Sequence, residues 1–304
     1  MTEENQKYDL IIIGSGPAGL TAGVYAARYM LNTLIIGQLP GGTAGEAHEV
    51  CNFPSYGKIN GFELMHKMVS QVNELGVEIK QEEVVEISGE NNSFIIKTNK
   101  KEYRAKKIII ATGTTRKKLN LPREEELTGK GVSYCATCDG GFYKDKIVGV
   151  IGGGNAALTA ALLLSKFAEK VYIIYRKESF SKAEPAWVKD IEENEKIKPL
   201  FNSQVKKLEG EDKLEQIELD NGDKLKVNGL FIEVGSISNK KLAEKFGIEL
   251  ENDFISVDKK MKTCCKGVFA SGDVTNNPLK QIITACSEGA IAATSAYHEI
   301  EKGE

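Results

Sequence analysis

Cys135 and Cys138 stand three positions apart in Tyr134-Cys135-Ala136-Thr137-Cys138-Asp139. Two thiols at that spacing can close a small, reversible disulfide. Asp139, beside the second thiol, is an acid that can move a proton when such a disulfide opens. The pair is chemically ambiguous: half of a zinc site, a redox couple, or two core thiols that happen to be close. Redox exchange needs a thiolate, which a nearby cation or helix N-terminus favours. What flanks the pair must decide among these.

The elements that would position such a pair are those of an ordinary globular chain. Its 304 residues suffice for about two domains. The 40 basic and 43 acidic residues leave a net charge of −3, without the basic excess of a nucleic-acid-binding protein. No apolar run approaches the ~18 residues of a membrane span. The polar, acid-bearing start Met1–Lys7 reads as neither signal nor transit peptide. Six cysteines scattered over this length do not form a secreted disulfide framework, so a reducing cytoplasm is expected.

Tyr8–Ile13 reads as a buried strand, and Gly14-Ser-Gly16-Pro-Ala-Gly19 follows at once, ahead of a helical run from Leu20 to Met30. This is the order a dinucleotide fingerprint requires. Gly14 permits the tight turn, Gly16 lets backbone approach a pyrophosphate, and Gly19 lets the helix pack on the strand. The helix N-terminus offers free N–H groups to phosphates. Leu31–Ile36 is the second strand. Gly37 and Gln38 stand where an acid would hold a ribose, which weakens a plain NAD reading. Pro40-Gly41-Gly42-Thr43 is a further glycine turn, and Gly61–Leu75 reads as an amphipathic helix. His48, Cys51 and His66 fit no metal-ligand spacing and read as surface or packing residues.

The plan then repeats. Asn91–Thr98 and Glu102–Gly113 form a meander ending in an apolar strand and a glycine, and Glu215–Gly222 with Lys224–Gly235 repeat it. Asn221-Gly222 reads as a two-residue hairpin turn. Lys146–Ile151 is a second apolar strand followed by Gly152-Gly153-Gly154-Asn155-Ala156-Ala157, a helical run Leu158–Phe167 and a strand Val171–Tyr175. That is the G-x-G-x-x-A form of the fingerprint. Two fingerprints, each with its own meander, indicate two nucleotide-binding domains. Arg176 and Lys177 end the second strand of the second copy, with Lys182 close behind. Cations there accommodate the 2′-phosphate of NADP, though a solvated charge cluster would look the same.

Lys266–Val274 is a strand ending in Gly272-Asp273, and Lys280-Gln281-Ile282 opens a final helix. An Asp there can accept hydrogen bonds from a ribityl chain, and the helix N-terminus can stabilise an electron-accepting ring. Cys264 and Cys265 read as ordinary loop thiols and Cys286 as a buried helix residue.

On these residues the chain resembles the low-molecular-weight thioredoxin reductases, two-domain disulfide reductases that use FAD and NADPH. The likeness runs from Gly14-Ser-Gly-Pro-Ala-Gly19 to Gly272-Asp273-Val274. Its most specific marks are Ala111-Thr112-Gly113, Gly131-Val-Ser-Tyr-Cys-Ala-Thr-Cys138-Asp-Gly140 and Gly152-Gly-Gly-Asn155. With no second ligand pair in sight, the resemblance leaves no zinc reading of Cys135 and Cys138.

The resemblance implies an α/β fold of two Rossmann-like, three-layer ββα domains, the second inserted in the first. The FAD-binding domain would span 1–114 and 238–304, and the NAD(P)H-binding domain 115–237. Gly14, Gly16, Pro17, Ala18 and Gly19 would meet the FAD pyrophosphate. Gly37, Gln38, Gly41, Gly42, Thr43, Asn52, Val84, Thr112 and Gly113 would line the cofactor. Gly272, Asp273, Gln281 and Ile282 would sit by its ribityl chain and ring. Gly152, Gly154, Asn155, Ala156, Ala157, Arg176, Lys177 and Lys182 would hold NADPH. Cys138 would face the flavin, Cys135 would attack the disulfide of a thioredoxin, and Asp139 would protonate the leaving thiolate. The family also implies a homodimer and a rotation of one domain hinged near Thr114-Thr115 and Gly235-Ser236.

Three positions depart from the family. Its usual His-Arg-Arg-x-x-x-Arg is Tyr175-Arg176-Lys177-Glu178-Ser179-Phe180-Ser181-Lys182 here, and lysine lacks the guanidinium fork. Thr43 replaces a common glutamine and Lys280 a common arginine. NADPH is the first reading of the donor, with NADH, ferredoxin or a deazaflavin as alternatives. Another small redox protein is the alternative to thioredoxin. A nucleotide-binding sensor without turnover is the reading from another class, and the cysteine pair argues against it.

Overall fold

The computed structural model describes residues 7–47, 49–90 and 92–303. His48, Asn91 and the polar start before Lys7, read above, lie outside the described residues. The chain divides into two compact units, Met1–Thr115 with Ser238–Glu304, and Arg116–Ile237.

The first unit opens with β1 (Lys7–Ile13), α1 (Pro17–Arg28), β2 (Thr33–Ile36), α2 (Gly61–Glu74) and β3 (Glu78–Lys80). A meander of β4 (Val84–Glu90), β5 (Ser93–Thr98) and β6 (Glu102–Ile110) follows. The sheet order is β3-β2-β1-β6-β5-β4, parallel from β3 to β6 and antiparallel through the meander. β1 is apolar on both faces, as a central parallel strand must be. Its Leu10 and Ile12 pack with Leu20 and Ala22 of α1, while Ile11 and Ile13 pack with Phe94 and Ile96 of β5. Helices and meander therefore cover opposite faces of the parallel sheet, and β6 belongs to both sheet and meander.

The chain leaves along β7 (Thr114–Arg116). The second unit holds α3 (Glu124–Leu127), β8 (Val132–Ser133), α4 (Ala136–Asp139), β9 (Ile147–Ile151), α5 (Asn155–Ser165), β10 (Lys170–Ile174), α6 (Pro185–Glu192) and β11 (Ile197–Leu200). The meander β12 (Val205–Glu209), β13 (Gln216–Leu219), β14 (Lys224–Lys226) and the strand β15 (Gly229–Ile232) complete it. The parallel sheet runs β11-β10-β9-β15-β8. Val148 and Val150 of β9 pack on α5, and Ile151 packs toward Ile217 and Leu219 of the meander, which repeats the layering of the first unit.

One turn differs from its sequence reading. The Leu219 amide pairs with the Asp223 carbonyl at 2.9 Å, so the hairpin loop has three residues, Asp220–Gly222, rather than two. Of these only Gly222 has positive φ, at 87°. A primed two-residue turn would need both Asn221 and Gly222 left-handed, whereas a three-residue loop needs one.

The first unit resumes through β16 (Ser236–Ser238), α7 (Lys241–Phe246), β17 (Leu250–Glu251), β18 (Phe254–Ile255), β19 (Val268–Ala270) and α8 (Ile282–Lys302). β19 adds to β6 in parallel, Val268 opposite Ile108. α8 is tied to the same strand by an ion pair. The buried Lys107 of β6 meets Glu299 of α8 at 2.6 Å, and Lys262 meets the same carboxylate at 2.6 Å. Burial opposes ionisation of Glu299, but the two ammonium groups outweigh it and hold its carboxyl below the usual range. The C-terminal segment is thereby registered against the strand that carries Ala111-Thr112-Gly113.

Candidate functional site: a cysteine pair and two glycine turns

The cysteine pair stands at the end of the edge strand of the second sheet. Val132 and Ser133 of β8 pair with Leu230 and Phe231 of β15, and the chain turns immediately into Cys135. Cys135 is the extended N-cap of α4, with the Cys138 amide donating to its Sγ at 3.1 Å. The two residues form a disulfide with Cα atoms 5.3 Å apart. Cys138 is exposed and Cys135 half-buried.

Asp139 is fixed by Ser133, whose hydroxyl donates to Asp139 Oδ2 at 2.7 Å and accepts the Cys135 amide at 3.0 Å. On the other flank the Tyr134 hydroxyl donates to the buried Glu124 carboxylate, which also accepts the amides of Leu119 at 2.9 Å and Leu121 at 3.0 Å. Burial alone would raise the Glu124 pKa; the Tyr134 hydroxyl and these amides outweigh it and pull it down. Burial, and then the Glu124 carboxylate, push the Tyr134 hydroxyl pKa up. The Tyr143 hydroxyl is likewise pushed up by burial and by the charge of Asp139. Its ring fills the space over Gly229, where an added Cβ would lie 2.4 Å from it.

In the first unit the sequence-predicted residues of the two chain ends converge. Gly14, with φ 119°, carries its Cα hydrogen where a Cβ would sit 2.0 Å from the Ala111 carbonyl oxygen. A Cβ on Gly19 would lie 1.9 Å from the Gly14 carbonyl oxygen, so α1 can start this close to its strand only with glycine there. Pro17 and Ala18 are its first two residues, and Gly16 is its extended N-cap. Gly37 abuts Ser15, whose hydroxyl donates to Leu39 O at 2.9 Å, while the Gly41 amide donates to Ser15 O at 2.8 Å. Those bonds fold Gly41-Gly42 onto the first turn, and a Cβ on Gly42 would stand 3.0 Å from Gly16 Cα. Thr112 and Gly113 are clamped by Asn239, which donates to Thr112 O at 2.8 Å and to Gly113 O at 3.0 Å. Asn52 donates to the Gln281 side chain at 2.9 Å across 229 positions. Gln38 and Thr43 are exposed. Val84 opens β4 opposite Thr98 and packs against the meander-side core, a position outside the turn cluster.

Gly272 and Asp273 follow β19. The Gly272 amide and the Thr275 hydroxyl both donate to Glu288 Oε2, at 2.8 and 2.9 Å. Asp273 is half-buried, and among the described residues its carboxylate has no hydrogen-bond partner. Burial raises its pKa, Lys280 opposes that, and Glu288 adds to it. Lys280 donates to Thr275 O and lies 4.4 Å over the Phe254 ring; burial lowers its pKa against the pull of Asp273 and Glu288. Gln281 caps α8 with a reciprocal bond to Thr284, and Ile282 is its first residue. A half-buried acceptor without a donor, beside an N-terminal turn that a Cβ on Gly16 would reach only at 3.9 Å from its nearest neighbour, fits a polyhydroxylated, phosphorylated group.

In the second unit Gly152 sits against Glu233, a Cβ there lying 2.2 Å from its carbonyl oxygen. Gly153 rests on the Tyr175 ring, while a Cβ on Gly154, the N-cap of α5, would meet nothing within 4 Å. Asn155 exchanges two bonds with Glu184, at 2.8 and 2.7 Å, and Gly154 bridges Lys182. Ala156 is exposed and Ala157 buried under Gly152. Arg176, Lys177 and Lys182 are all exposed, and no ion pair holds them among the described residues. Three cations around an open turn can receive a phosphate.

Several positioning residues escaped the sequence reading. Gly289 of α8 is one: a Cβ there would stand 2.1 Å from the Ala18 carbonyl oxygen, so α8 crosses α1 backbone to backbone. The small-residue run Gly289-Ala-Ile-Ala-Ala293 is the signal that could have found it. Glu288, Asn239, Ser15 and Ser133 are the others, and their partners lie too far along the chain, or are too common in type, to be read from spacing. Cys264 and Cys265 are free, their sulfurs 3.8 Å apart, with burial pushing the Cys265 thiol up to about 11. Cys286 is half-buried, facing the Pro17 carbonyl, and burial pushes its thiol pKa up.

Residues 8–289 match the family described as pyridine nucleotide-disulphide oxidoreductase. The thioredoxin reductase of Bacillus subtilis (strain 168) is 38% identical over 98% of this chain and 96% of its own length. The crystal structure of Lactococcus lactis thioredoxin reductase in its FR conformation is 37% identical, covers 97% of this chain and 99% of that one, and superposes with a TM-score of 0.94. The T. acidophilum thioredoxin reductase structure gives 0.93 at 35% identity, over 98% of this chain and all of that one.

Proposed function

The chain belongs to the low-molecular-weight thioredoxin reductases of the pyridine nucleotide-disulphide oxidoreductase family, and from that premise we propose how its parts divide the work. It is an oxidoreductase that reduces a protein disulfide. Its flavin is FAD, held by the first unit at Gly14–Gly19, Gly41–Thr43, Thr112-Gly113, Asp273 and Gln281. Its reductant is NADPH, held by the second unit at Gly152–Ala157 with Arg176, Lys177 and Lys182. Its substrate is a thioredoxin. The same reading makes it a homodimer working in a reducing cytoplasm.

When bound, the nicotinamide and the flavin supply hydride transfer and carry two electrons to the cysteine pair. The chain's own residues do the rest. Cys138, the exposed thiol, is the one that meets the flavin. As the Cys135–Cys138 bond opens, Cys135 leaves as a thiolate and Asp139 gives it a proton. Asp139 takes that proton back as Cys135 attacks, again as a thiolate. A mixed disulfide forms as the thioredoxin S–S bond breaks, and Cys138 resolves it, closing the disulfide here as the second thioredoxin thiol leaves. What supports this reading above all is the disulfide itself, with an acid fixed beside it, in the unit that carries the second glycine turn.

The test is an anaerobic titration of the flavin-loaded protein, followed by addition of thioredoxin. NADPH should bleach the flavin faster than NADH, and oxidised thioredoxin should restore its colour. Bleaching by reduced ferredoxin and by neither nucleotide would replace the donor. Full reduction without turnover of thioredoxin would replace the substrate.

A further inference from the structure

We propose that Ser133 is a positioning residue of the thiol chemistry, its hydroxyl holding Asp139 against the Cys135 backbone whether or not the carboxyl carries a proton. This rests on the reading of Asp139 as the proton donor. Ser133 is the last residue of β8, paired with Phe231, so its hydroxyl is carried by a sheet and not by a loop. It is only 3% exposed. Its oxygen lies 2.7 Å from Asp139 Oδ2, 3.0 Å from the Cys135 amide nitrogen and 3.4 Å from the Cys135 carbonyl oxygen.

A hydroxyl has one hydrogen and two lone pairs. With Asp139 ionised, the hydrogen goes to Oδ2, the shorter and charge-assisted contact, and the Cys135 amide takes one lone pair. When Asp139 is protonated it becomes the donor. The second lone pair of Ser133 then accepts from Oδ2, and the Ser133 hydrogen turns to the Cys135 carbonyl. That carbonyl already accepts the Asp139 amide at 3.1 Å and has a second lone pair free for it. Only a hydroxyl hydrogen has to rotate. The acid thus stays in place through its proton transfer, tied to the residue whose thiol receives the proton.

The test compares thioredoxin turnover by the flavin-loaded enzyme in Ser133→Thr and Ser133→Val, alone and combined with Asp139→Asn. Thr and Val have the same shape and differ by the hydroxyl, so crowding from the extra methyl is common to both. Asp139→Asn should lower turnover by about a hundredfold, as removal of a general acid does. Ser133→Val should fall roughly tenfold below Ser133→Thr, the worth of one hydrogen bond to a charged group. In the Asp139→Asn background that gap should fall well below tenfold, leaving only what the Cys135 amide bond contributes, because the hydroxyl acts chiefly through the carboxylate. A gap that persists there undiminished, or no gap at all with Asp139 present, overturns the proposal. Wild-type turnover in Asp139→Asn instead overturns the reading of Asp139, and the proposal with it.

Discussion

Gly289→Ala tests whether the close crossing of α8 over α1 is what holds together the residues of the two chain ends proposed to bind the flavin. The added Cβ would stand 2.1 Å from Ala18 O and 3.0 Å from Ala18 C. Both are backbone atoms, so no side chain can swing away. Relief to even 3.0 Å requires the helices to part by about 0.9 Å (3.0 minus 2.1). Overpacking of this kind costs roughly 1–3 kcal/mol. Replacing glycine by alanine within a helix returns about 0.5–1 kcal/mol. The net loss, centred near ~1 kcal/mol and at most about 2.5, corresponds to a fall in Tm of roughly 2–4 °C per kcal/mol for a unit of this size.

The functional consequence follows from where α8 begins. Its N-cap Gln281 accepts from Asn52 at 2.9 Å. A shift of about 0.9 Å along that bond would stretch it to about 3.8 Å, beyond hydrogen-bonding reach. Flavin should then dissociate about tenfold more readily, the equivalent of 1.4 kcal/mol. The assay is flavin-to-protein absorbance after gel filtration, the Kd for FAD of stripped protein, and thermal unfolding. Gly57→Ala is the control, since a Cβ there meets nothing within 4 Å. Gly289→Ala with full flavin content and an unchanged Tm would refute the reasoning.

Three further outcomes are expected. Cys138→Ser should still permit flavin reduction by the nucleotide but abolish thioredoxin turnover in steady-state assays; retained turnover would make the pair structural. Arg176→Ala should raise the KM for NADPH roughly tenfold, at the lower end for a hydrogen bond to a charged group because the site is exposed, with NADH unaffected; equal effects on both nucleotides would remove Arg176 from phosphate recognition. Asp273→Asn should make the flavin-free protein more stable at neutral pH and weaken FAD binding. Burial raises the Asp273 pKa above its unfolded value, so the folded state holds the proton more tightly and loses stability as pH rises from the unfolded value through the raised one; urea melts in which the mutant's advantage at neutral pH fails to close below about pH 3.9 would contradict this.

Features that depend on neighbours in sequence were legible, and features that depend on meeting across the fold were not. Gly14 and Gly19 constrain one another across a single turn, so their order after an apolar strand already states the geometry. The buried alternation of Leu10 and Ile12 against Ile11 and Ile13 could not be read, since an all-apolar strand looks the same from either face. Glu288 reads as one more helix carboxylate until Gly272 and Thr275 are seen to donate to it. Ser133 and Asp139 are six positions apart, a spacing that neither helix nor strand periodicity singles out; a strand end and a one-turn helix bring them together. At Asn221-Gly222 the turn residues were legible but the loop length was not, because it depends on which flanking residues pair.

The two glycine turns share a motif but not a physical setting. The first is closed in by Gly42 over Gly16, by Ala111 against Gly14 and by Gly272 against Ala18, segments drawn from both ends of the chain. The second leaves Gly154 open and is ringed by exposed cations that nothing in the described residues neutralises. A group bound at the first meets segments from both ends of the unit, so its binding is coupled to the stability of the unit. A group held by the second exchanges hydrogen bonds and ion pairs with solvent, which favours fast entry and exit at modest affinity. That asymmetry fits a flavin that stays through many turnovers and a nicotinamide nucleotide that is replaced in each. It also makes the second turn the one more tolerant of mutation. Altering Arg176, Lys177 or Lys182 costs little stability, whereas altering Gly14, Gly19 or Gly289 disturbs the packing of the whole unit.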